Sequence, residues 1–370
     1  MRLVPAGLAL AILACGPGPA AAERYETSAG AVEVSRMASG LSTPWSLAFL
    51  PGNAWLVTER DGRLLLIEGG AARPVSGVPE VWARGQGGLL DVVVARDYAF
   101  SHEIFLTFAE WRGAGAATSL AVAKLDQRTA ALDDVEVIFR QEPPAKGGAH
   151  FGGRVVEAPD GTLFLTLGER HERETAQYLD NDRGKIVRIR RDGAPAARNP
   201  FSGRADARAE IWSFGHRNPQ GIAMGPDGAL WETEHGPQGG DEVNRIAPGR
   251  NYGWPVVTFG EEYGGGAIGR GTGAPGMEAP LHVWTPSIAP SGLMVYSGEL
   301  WPEWKGDLFA GSLKYDFISR LSPDGRDELE RMFQGEFARI RDIREAPDGA
   351  IWFIAESDGA VWRMVPAPGS

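Results

Sequence analysis

Residues 159–166 read Pro-Asp-Gly-Thr-Leu-Phe-Leu-Thr, a tight turn followed by a short apolar strand. Proline presets φ and glycine accepts positive φ, so Pro-Asp-Gly favours a hairpin turn. Five more segments repeat the pattern, at residues 51–59, 101–107, 226–233, 305–310 and 347–354. A second strand of the approximate form Gly-x-Ile/Val-x-Arg-Ile follows most copies, at residues 62–67, 184–189, 242–246, 317–321 and 359–364.

Six copies of this turn-and-strand unit predict an all-β protein, a six-bladed β-propeller of four-stranded antiparallel blades. The copies begin about 40 to 80 residues apart, which suits blades with connections of unequal length. A β-sandwich is the alternative, but a sandwich is not expected to repeat both the turn and the strand that follows it. The longest interval, between residues 226 and 305, is rich in glycine and aromatic residues. Long loops on a rigid scaffold are where function is usually located.

The first 22 residues have the pattern of a secretion signal peptide, which predicts a periplasmic or secreted protein with a propeller domain at residues 23–370. Residues 8–14 form an apolar run that is too short to cross a bilayer. Cys15 is the only cysteine, so lipid anchoring through it is the alternative. Nothing later in the sequence has the pattern of a transmembrane span. The net charge of −11 argues against nucleic acid as a partner.

Residues 234–244, Glu-His-Gly-Pro-Gln-Gly-Gly-Asp-Glu-Val-Asn, combine carboxylates with turn-forming residues. Calcium binds about six to eight oxygen atoms, from both carboxylates and backbone carbonyls. Asp241 and Glu242 could supply the carboxylates, and Gly236 and Pro237 the carbonyls. An acidic, solvated loop is the alternative. No cysteine and histidine spacing indicates a zinc site.

Two other segments indicate acid–base and electrostatic chemistry. His150, in the glycine-rich residues 147–154, is a candidate general base, because imidazole titrates near neutral pH. Arg217, in residues 215–221, offers a permanently charged planar group to an oxyanion or a carboxylate. A structural histidine and an exposed arginine are the respective alternatives. Three other histidines receive no role: His102, His171 and His282.

A possible cationic wall is formed by Arg339 and Arg341 together with Lys314. Alternation along a strand places Arg339 and Arg341 on the same face. Three positive charges would suit a ligand that carries several carboxylates. A solvated edge of paired charges is the alternative. The glycines of residues 264–276 lack the strand-to-helix context of a dinucleotide-binding motif.

Taken in order along the chain, these segments resemble the family of soluble PQQ-dependent aldose sugar dehydrogenases, which is related to bacterial soluble glucose dehydrogenase. The combination is specific: Arg-Asn-Pro-Gln-Gly at 217–221 is followed by Glu-His-Gly-Pro at 234–237 and Asp-Glu-x-Asn at 241–244. The resemblance extends from about residue 35 to the end of the chain. It also includes residues 85–90, 147–154, 176–186, 251–255, 289–292 and 339–342.

The resemblance implies oxidation of aldose sugars to lactones with pyrroloquinoline quinone (PQQ) and Ca²⁺, and transfer of the electrons to an external acceptor. His150 matches the general base that removes the proton of the anomeric hydroxyl, and Arg217 matches the residue that stabilises negative charge on the quinone oxygen. Other quinone contacts match at Gln86, Asn218, Tyr263, Lys314, Arg339 and Arg341. The metal ligands match at Gly236 and Pro237, whose carbonyls would hold the calcium beside the quinone, and at Glu242 and Tyr252, which would bind a separate structural calcium.

Two positions depart from the glucose dehydrogenases of that family. Ala149 replaces an aspartate and His235 replaces a glutamine, so a broad aldose specificity is expected. Two other functions stay open. A metal-dependent sugar lactonase would place a carboxylate directly on a catalytic metal and would not need Lys314, Arg339 and Arg341 together. A carbohydrate-binding propeller would bind sugar without turnover.

Overall fold

The computed structural model describes residues 22–369, which form a closed ring of six antiparallel β-sheets. The predicted six-bladed β-propeller is therefore confirmed. In every blade the first strand lines the centre of the ring and contacts the first strands of its two neighbours. The repeated turn-and-strand segment of the sequence forms the second strand of each blade.

The strands follow one another from the centre of each blade outwards. Blade 1 contains β3 (Pro44–Phe49), β4 (Trp55–Glu59), β5 (Arg63–Glu68) and β6 (Ala71–Pro74). Blade 2 contains β7 (Leu89–Val94), β8 (Glu103–Arg112), β9 (Gly115–Asp126) and β10 (Ala131–Arg140), with the short helix α1 (Tyr98–Ser101) between β7 and β8. Blade 3 contains β11 (Gly152–Glu157), β12 (Leu163–Leu167), β13 (Lys185–Ile189) and β14 (Ile211–Phe214).

The second half of the ring has the same arrangement. Blade 4 contains β15 (Pro219–Met224), β16 (Leu230–Glu234), β17 (Asp241–Ile246) and β18 (His282–Trp284). Blade 5 contains β19 (Pro290–Val295), β20 (Leu308–Ser312), β21 (Ile318–Leu321) and β22 (Glu328–Met332). Blade 6 contains β23 (Ile340–Glu345), β24 (Ile351–Ala355) and β25 (Ala360–Pro366). Two 3₁₀ helices lie at Arg173–Gln177 and Pro302–Trp304.

Both ends of the described chain close the ring in blade 6. Strand β2 (Gly30–Ala38) pairs with β25 and supplies the fourth strand of this blade. Strand β1 (Glu23–Thr27) then pairs with β2 and adds a fifth strand at the outer edge. The four-stranded prediction therefore holds for five blades, and the sixth blade is one strand wider.

Every first strand is bulged near its start, where the register against the second strand shifts. A bulge bends the strand and redirects its side chains, and bulges are common beside active sites. All six bulges lie on one face of the ring, the upper face, which carries the starts of the first strands and the ends of the second strands. Several residues just before these strands have left-handed backbones: Thr43, His150, Ala289 and Arg339.

A buried ionic network joins the first strands at the centre of the ring. Arg154 of β11 contacts Asp91 of β7 (3.2 Å) and Asp342 of β23 (2.9 Å). Arg344 contacts the same two carboxylates at 2.9 and 3.0 Å. Arg154 also donates to the carbonyl of Arg341 (2.9 Å). The network therefore fixes β23 relative to the strand that follows His150.

Within residues 22–369, none of the helices is long and apolar enough to span a membrane. Residues 1–21 of the predicted signal peptide, including Cys15, lie outside the described residues. Secretion and lipid anchoring both stay predictions.

Candidate active site

His150 is buried on the upper face, two residues before β11. Its backbone N–H donates to Gln86 Oε1 (2.7 Å), and its Nδ1 donates to the carboxylate of Glu169. Burial, followed by the positive charge of Arg217, lowers the pKa of the His150 imidazole far below its ordinary value. The imidazole is therefore neutral at neutral pH, and its Nε2 lone pair is available to accept a proton.

Residues 169–171 position His150, and no sequence motif had indicated a role for them. Glu169 fixes the tautomer through Nδ1, and the ring of His171 stacks on that of His150 with centroids 4.2 Å apart. Arg170 donates to the carbonyl of Gly147 (2.9 Å) and its guanidinium lies 3.5 Å from the ring centre of Phe151. Arg170 and His171 have left-handed φ values of 61° and 64°. Such strain in non-glycine residues is concentrated at functional sites.

The repeated turn-and-strand segments contain a pattern that could have identified Glu169 from the sequence. The second strands of blades 1 and 4 end in Thr-Glu, at Glu59 and Glu234, and Glu356 directly follows the second strand of blade 6. Glu169 occupies a similar place, two residues after β12. A carboxylate therefore recurs at this level of the upper face.

Arg217 lies close to His150. Its Nη1 donates to the carbonyls of His235 (3.0 Å) and Gly236 (2.8 Å), and its own carbonyl accepts the Glu169 N–H (2.9 Å). Its Nη2 lies 3.5 Å from the hydroxyl of Tyr263, a side chain that is 72% exposed. The structure therefore brings His150, Arg217 and Tyr263 into one region through direct contacts and the shared neighbour Glu169.

The two predicted carbonyl ligands, Gly236 and Pro237, line a cavity together with Tyr263 and Lys314. The loop is folded so tightly that a Cβ at Gly236 would lie 2.3 Å from the carbonyl oxygens of the following glycines, residues 239 and 240. Only glycine fits there, and the Gly236 carbonyl that lines the cavity also accepts the hydrogen bond from Arg217 Nη1.

Asp241 fastens this loop. Its carboxylate accepts the N–H of Gly236 (2.8 Å), the hydroxyl of Ser287 (2.7 Å) and the N–H of Ala289 (2.7 Å). Both oxygens are thus engaged by hydrogen-bond donors. Oδ1 accepts one hydrogen bond and Oδ2 accepts two, so Asp241 holds the loop in place, and its role as a metal ligand stays a prediction.

The predicted cationic wall, made of Arg339, Arg341 and Lys314, is in contact with the carboxylate of Glu356. Arg341 donates to Glu356, and Arg339 Nε lies 3.7 Å from the same carboxylate. Arg339 precedes β23 and has a left-handed backbone, so the alternation of side chains along a strand does not apply to it. Both arginines nevertheless contact Glu356. Arg339 also donates to the carbonyl of Leu313 (3.0 Å), next to Lys314. Arg339 and Arg341 are therefore joined through Glu356, which offsets one of their charges, and Arg339 also reaches the backbone beside Lys314.

Beneath Arg217 lies a buried group of acidic residues around the predicted calcium ligand Glu242. Asn244 Nδ2 bridges the carboxylates of Glu232 and Glu242, at 3.2 Å from each. Glu232 Oε1 and Asn244 Oδ1 are buried and lack hydrogen-bond partners among the described residues. Burial raises the pKa values of the Glu232 and Glu242 carboxyl groups well above the ordinary value for glutamate. The hydroxyl of Tyr252 donates to the Arg245 carbonyl (2.7 Å) and accepts the Ala247 N–H (2.9 Å), so only its carbonyl is left for a metal.

Asn218, the remaining predicted quinone contact, and His235, the second departure from the glucose dehydrogenases, both also make structural hydrogen bonds. Asn218 is buried, and its Oδ1 accepts the N–H of Gly152 (3.2 Å), which ties it to the strand after His150. His235 Nε2 donates to the carbonyl of Pro290 (2.7 Å), and burial lowers the pKa of His235 to about 3. A neutral His235 therefore links blades 4 and 5 under the cavity.

Comparison with known proteins gives consistent matches. Residues 41–363 match the family model described as Glucose / Sorbosone dehydrogenase. Aldose sugar dehydrogenase YliI of Escherichia coli K12 is 43% identical over 345 residues, which cover 90% of this chain and 93% of that protein. The crystal structure of the soluble aldose sugar dehydrogenase from Escherichia coli in the apo-form superposes with a TM-score of 0.87 at 42% identity, covering 91% of this chain and 100% of that one. The PQQ-bound form of aldose sugar dehydrogenase from Streptomyces coelicolor has a TM-score of 0.74 at 29% identity, covering 90% of this chain and 98% of that one.

Proposed function

This chain belongs to the glucose/sorbosone dehydrogenase family and is an aldose sugar dehydrogenase of the quinoprotein class, and we propose that it oxidises aldoses to lactones with calcium-bound PQQ and His150 as the general base. The observation that carries the proposal is the neutral, buried His150, held through Nδ1 by Glu169 on the same face as Arg217. A base and a fixed cation on one face suit removal of a proton and stabilisation of a developing negative charge.

The residues around the cavity fit the quinone in chemistry. PQQ carries carboxylates and carbonyl oxygens, and the cations that we assign to its carboxylates are Lys314, which lines the cavity, and Arg339 and Arg341. The carbonyls of Gly236 and Pro237 are hard oxygen donors of the kind that calcium prefers. Gln86, Asn218 and Tyr263 are the other side chains that we assign to the quinone. When bound, PQQ supplies an acceptor for two electrons, and calcium polarises it as a Lewis acid.

The acidic group beneath Arg217 fits the second, structural calcium. The unpartnered oxygens Glu232 Oε1 and Asn244 Oδ1 lie beside Glu242, and all three residues are oxygen donors. A buried acceptor without a partner is costly, and a cation would satisfy it. Glu242 and the carbonyl of Tyr252 are the ligands that we assign to this ion.

The protein's own residues account for the proton in the reaction. His150 Nε2 accepts the proton of the C1 hydroxyl, while the hydrogen on C1 leaves with both electrons of its bond and C1 becomes the carbonyl of a lactone. Glu169 stabilises the imidazolium that forms. Arg217 places a permanent positive charge where negative charge develops. An external acceptor must then remove the two electrons before the next turnover.

Reconstitution of the apoprotein tests this function. We expect protein supplied with both PQQ and Ca²⁺ to reduce an artificial dye with a panel of aldoses, and protein given either alone to be inactive. A chelator added to the reconstituted enzyme should release the quinone and stop turnover. Dye reduction without quinone, or full activity after thorough removal of calcium, would contradict the proposal.

The same assay separates the two alternative functions. Opening of a sugar lactone without quinone would favour the lactonase. Sugar binding without any turnover in the presence of PQQ and Ca²⁺ would favour a carbohydrate-binding propeller.

Replacing Glu169 with glutamine should lower kcat roughly 10- to 100-fold with little change in KM, since it acts through His150 and not on the sugar. The amide can still accept the Nδ1 hydrogen, but it removes the negative charge that stabilises the imidazolium. Steady-state kinetics of reconstituted E169Q measure this effect. The matched control is E172Q, an exposed carboxylate three residues later, which should retain wild-type kcat. Equal kcat values for E169Q and wild type would remove Glu169 from the mechanism.

A further inference from the structure

A hairpin of blade 2 rises above the upper face beside His150. The second strands of the other five blades have five residues each, whereas β8 has ten. Leu89 pairs with Phe108 in blade 2 at the level where Gly152 pairs with Leu167 in blade 3. Residues 109–112 therefore continue beyond the level at which the other second strands end. At about 3.3 Å per residue, this extension is roughly 13 Å high.

The hairpin is fixed to the segments that carry the base. Ala116 of β9 exchanges two backbone hydrogen bonds with Ala145, at 2.9 and 3.0 Å, in the segment that leads to His150. On its other side, Ala109 accepts the N–H of Trp82 (2.7 Å). Four residues later Gln86 accepts the His150 N–H. The hairpin is therefore held by the two segments that also carry His150 and its partner Gln86.

Trp111 lies on the raised part of this hairpin and is 50% exposed. One face of its indole stacks on Trp82, with centroids 5.8 Å apart and an angle of 25° between the rings. Trp82 in turn packs against Phe151, the residue after His150, at 6.1 Å. A row of three aromatic rings thus runs from Phe151, the neighbour of His150 in sequence, to an exposed indole on the hairpin. Exposed aromatic surface beside a site is typical of ligand binding, because an indole gains free energy when it is covered.

We propose that Trp111, supported by Trp82, is a stacking platform for the second and third sugar units of an oligosaccharide whose reducing-end aldose lies at His150. This inference rests on the proposed function. Only C1 of the reducing-end unit reacts at the base, so the other units must leave the site across the upper face, where the hairpin forms a wall. One face of a pyranose consists of C–H bonds with slight positive charge, and the face of an indole is negative. The exposed Arg84 side chain near Trp82 offers hydrogen-bond donors to sugar hydroxyls.

Substrate length tests the platform. In reconstituted W111A, we expect kcat/KM for a glucose trisaccharide to fall about 10-fold, while kcat/KM for glucose stays within about twofold of wild type. The panel contains both α- and β-linked di- and trisaccharides. W111F retains a ring and should recover most of the loss. The control variant is F100A, which removes a side chain that is 90% exposed in α1, on the opposite face of the ring. Equal losses for glucose and every trisaccharide, or no loss at all, would overturn the platform.

A binding measurement separates this inference from the proposed function. A trisaccharide whose reducing end has been reduced to the alditol cannot be oxidised, so its binding to the cofactor-free protein can be measured by calorimetry. We expect W111A to bind it about 10-fold more weakly than wild type and F100A to bind it normally. That result would support the platform even if quinone-dependent oxidation failed. Identical affinities for W111A and wild type would reject it even if glucose oxidation succeeded.

Discussion

Replacing His150 with alanine should lower the rate of aldose oxidation roughly 100- to 10,000-fold. The physical reason is that no other described group is placed like the His150 imidazole, which is neutral, buried and held through Nδ1 with Nε2 free. Steady-state dye reduction by reconstituted H150A measures the loss. Quinone affinity, measured by fluorescence titration, should change little, because the cations and carbonyls assigned to PQQ remain.

His282 provides the matched control for this substitution. It lies on β18 at the outer edge of blade 4, where its Nδ1 contacts the Arg326 carbonyl at 2.9 Å. H282A should therefore oxidise aldoses at the wild-type rate. Near-normal activity in H150A would show that another group removes the proton.

Replacing Arg154 with methionine should lower the free energy of unfolding by about 3–5 kcal/mol. Arg154 is almost completely buried, and its removal leaves Asp91 and Asp342 to share the single cation Arg344 in the centre of the ring. Uncompensated buried charge is among the most destabilising changes a point substitution makes. Equilibrium urea unfolding measures the effect.

An exposed arginine of the same chain serves as the comparison. Arg190 forms an ion pair with Asp192 at 2.6 Å, but both side chains are more than half exposed. R190M should change the unfolding free energy by less than about 1 kcal/mol, because exposed pairs contribute little. If R154M cost no more than R190M, the central network would not stabilise the ring.

The fold was predictable because its signal is local. Each turn and the strand after it are adjacent in sequence, and three of the six turns are Pro-Asp-Gly, so the six copies indicated six blades. The closure of the ring was not visible, because β2 pairs with β25 across almost the whole chain, with Val32 opposite Pro366. No residue pattern marked β1 as a fifth strand, or the bulge at the start of each first strand.

The residues of the candidate site likewise fall into two groups, those that short motifs predicted and those whose role depends on the fold. The segments of His150, Arg217 and residues 234–244 were found from short motifs, and the fold places them on one face. Glu169 and His171 were missed because their importance depends on a left-handed backbone and on a partner in another loop. The part that Asp241 plays in holding its loop was not predicted, because the sequence does not show that Ser287 and Ala289 donate to its carboxylate.

The most direct test is a single turnover without any external acceptor. Protein reconstituted with PQQ and Ca²⁺ is mixed anaerobically with an aldose, and the absorbance of the bound quinone is followed. We predict complete reduction of the quinone with formation of one equivalent of lactone, a slower reaction when C1 carries deuterium, and almost no reduction in H150A with the quinone still bound. An unchanged quinone spectrum in the wild-type protein, or reduction at the same rate in H150A, would contradict the account.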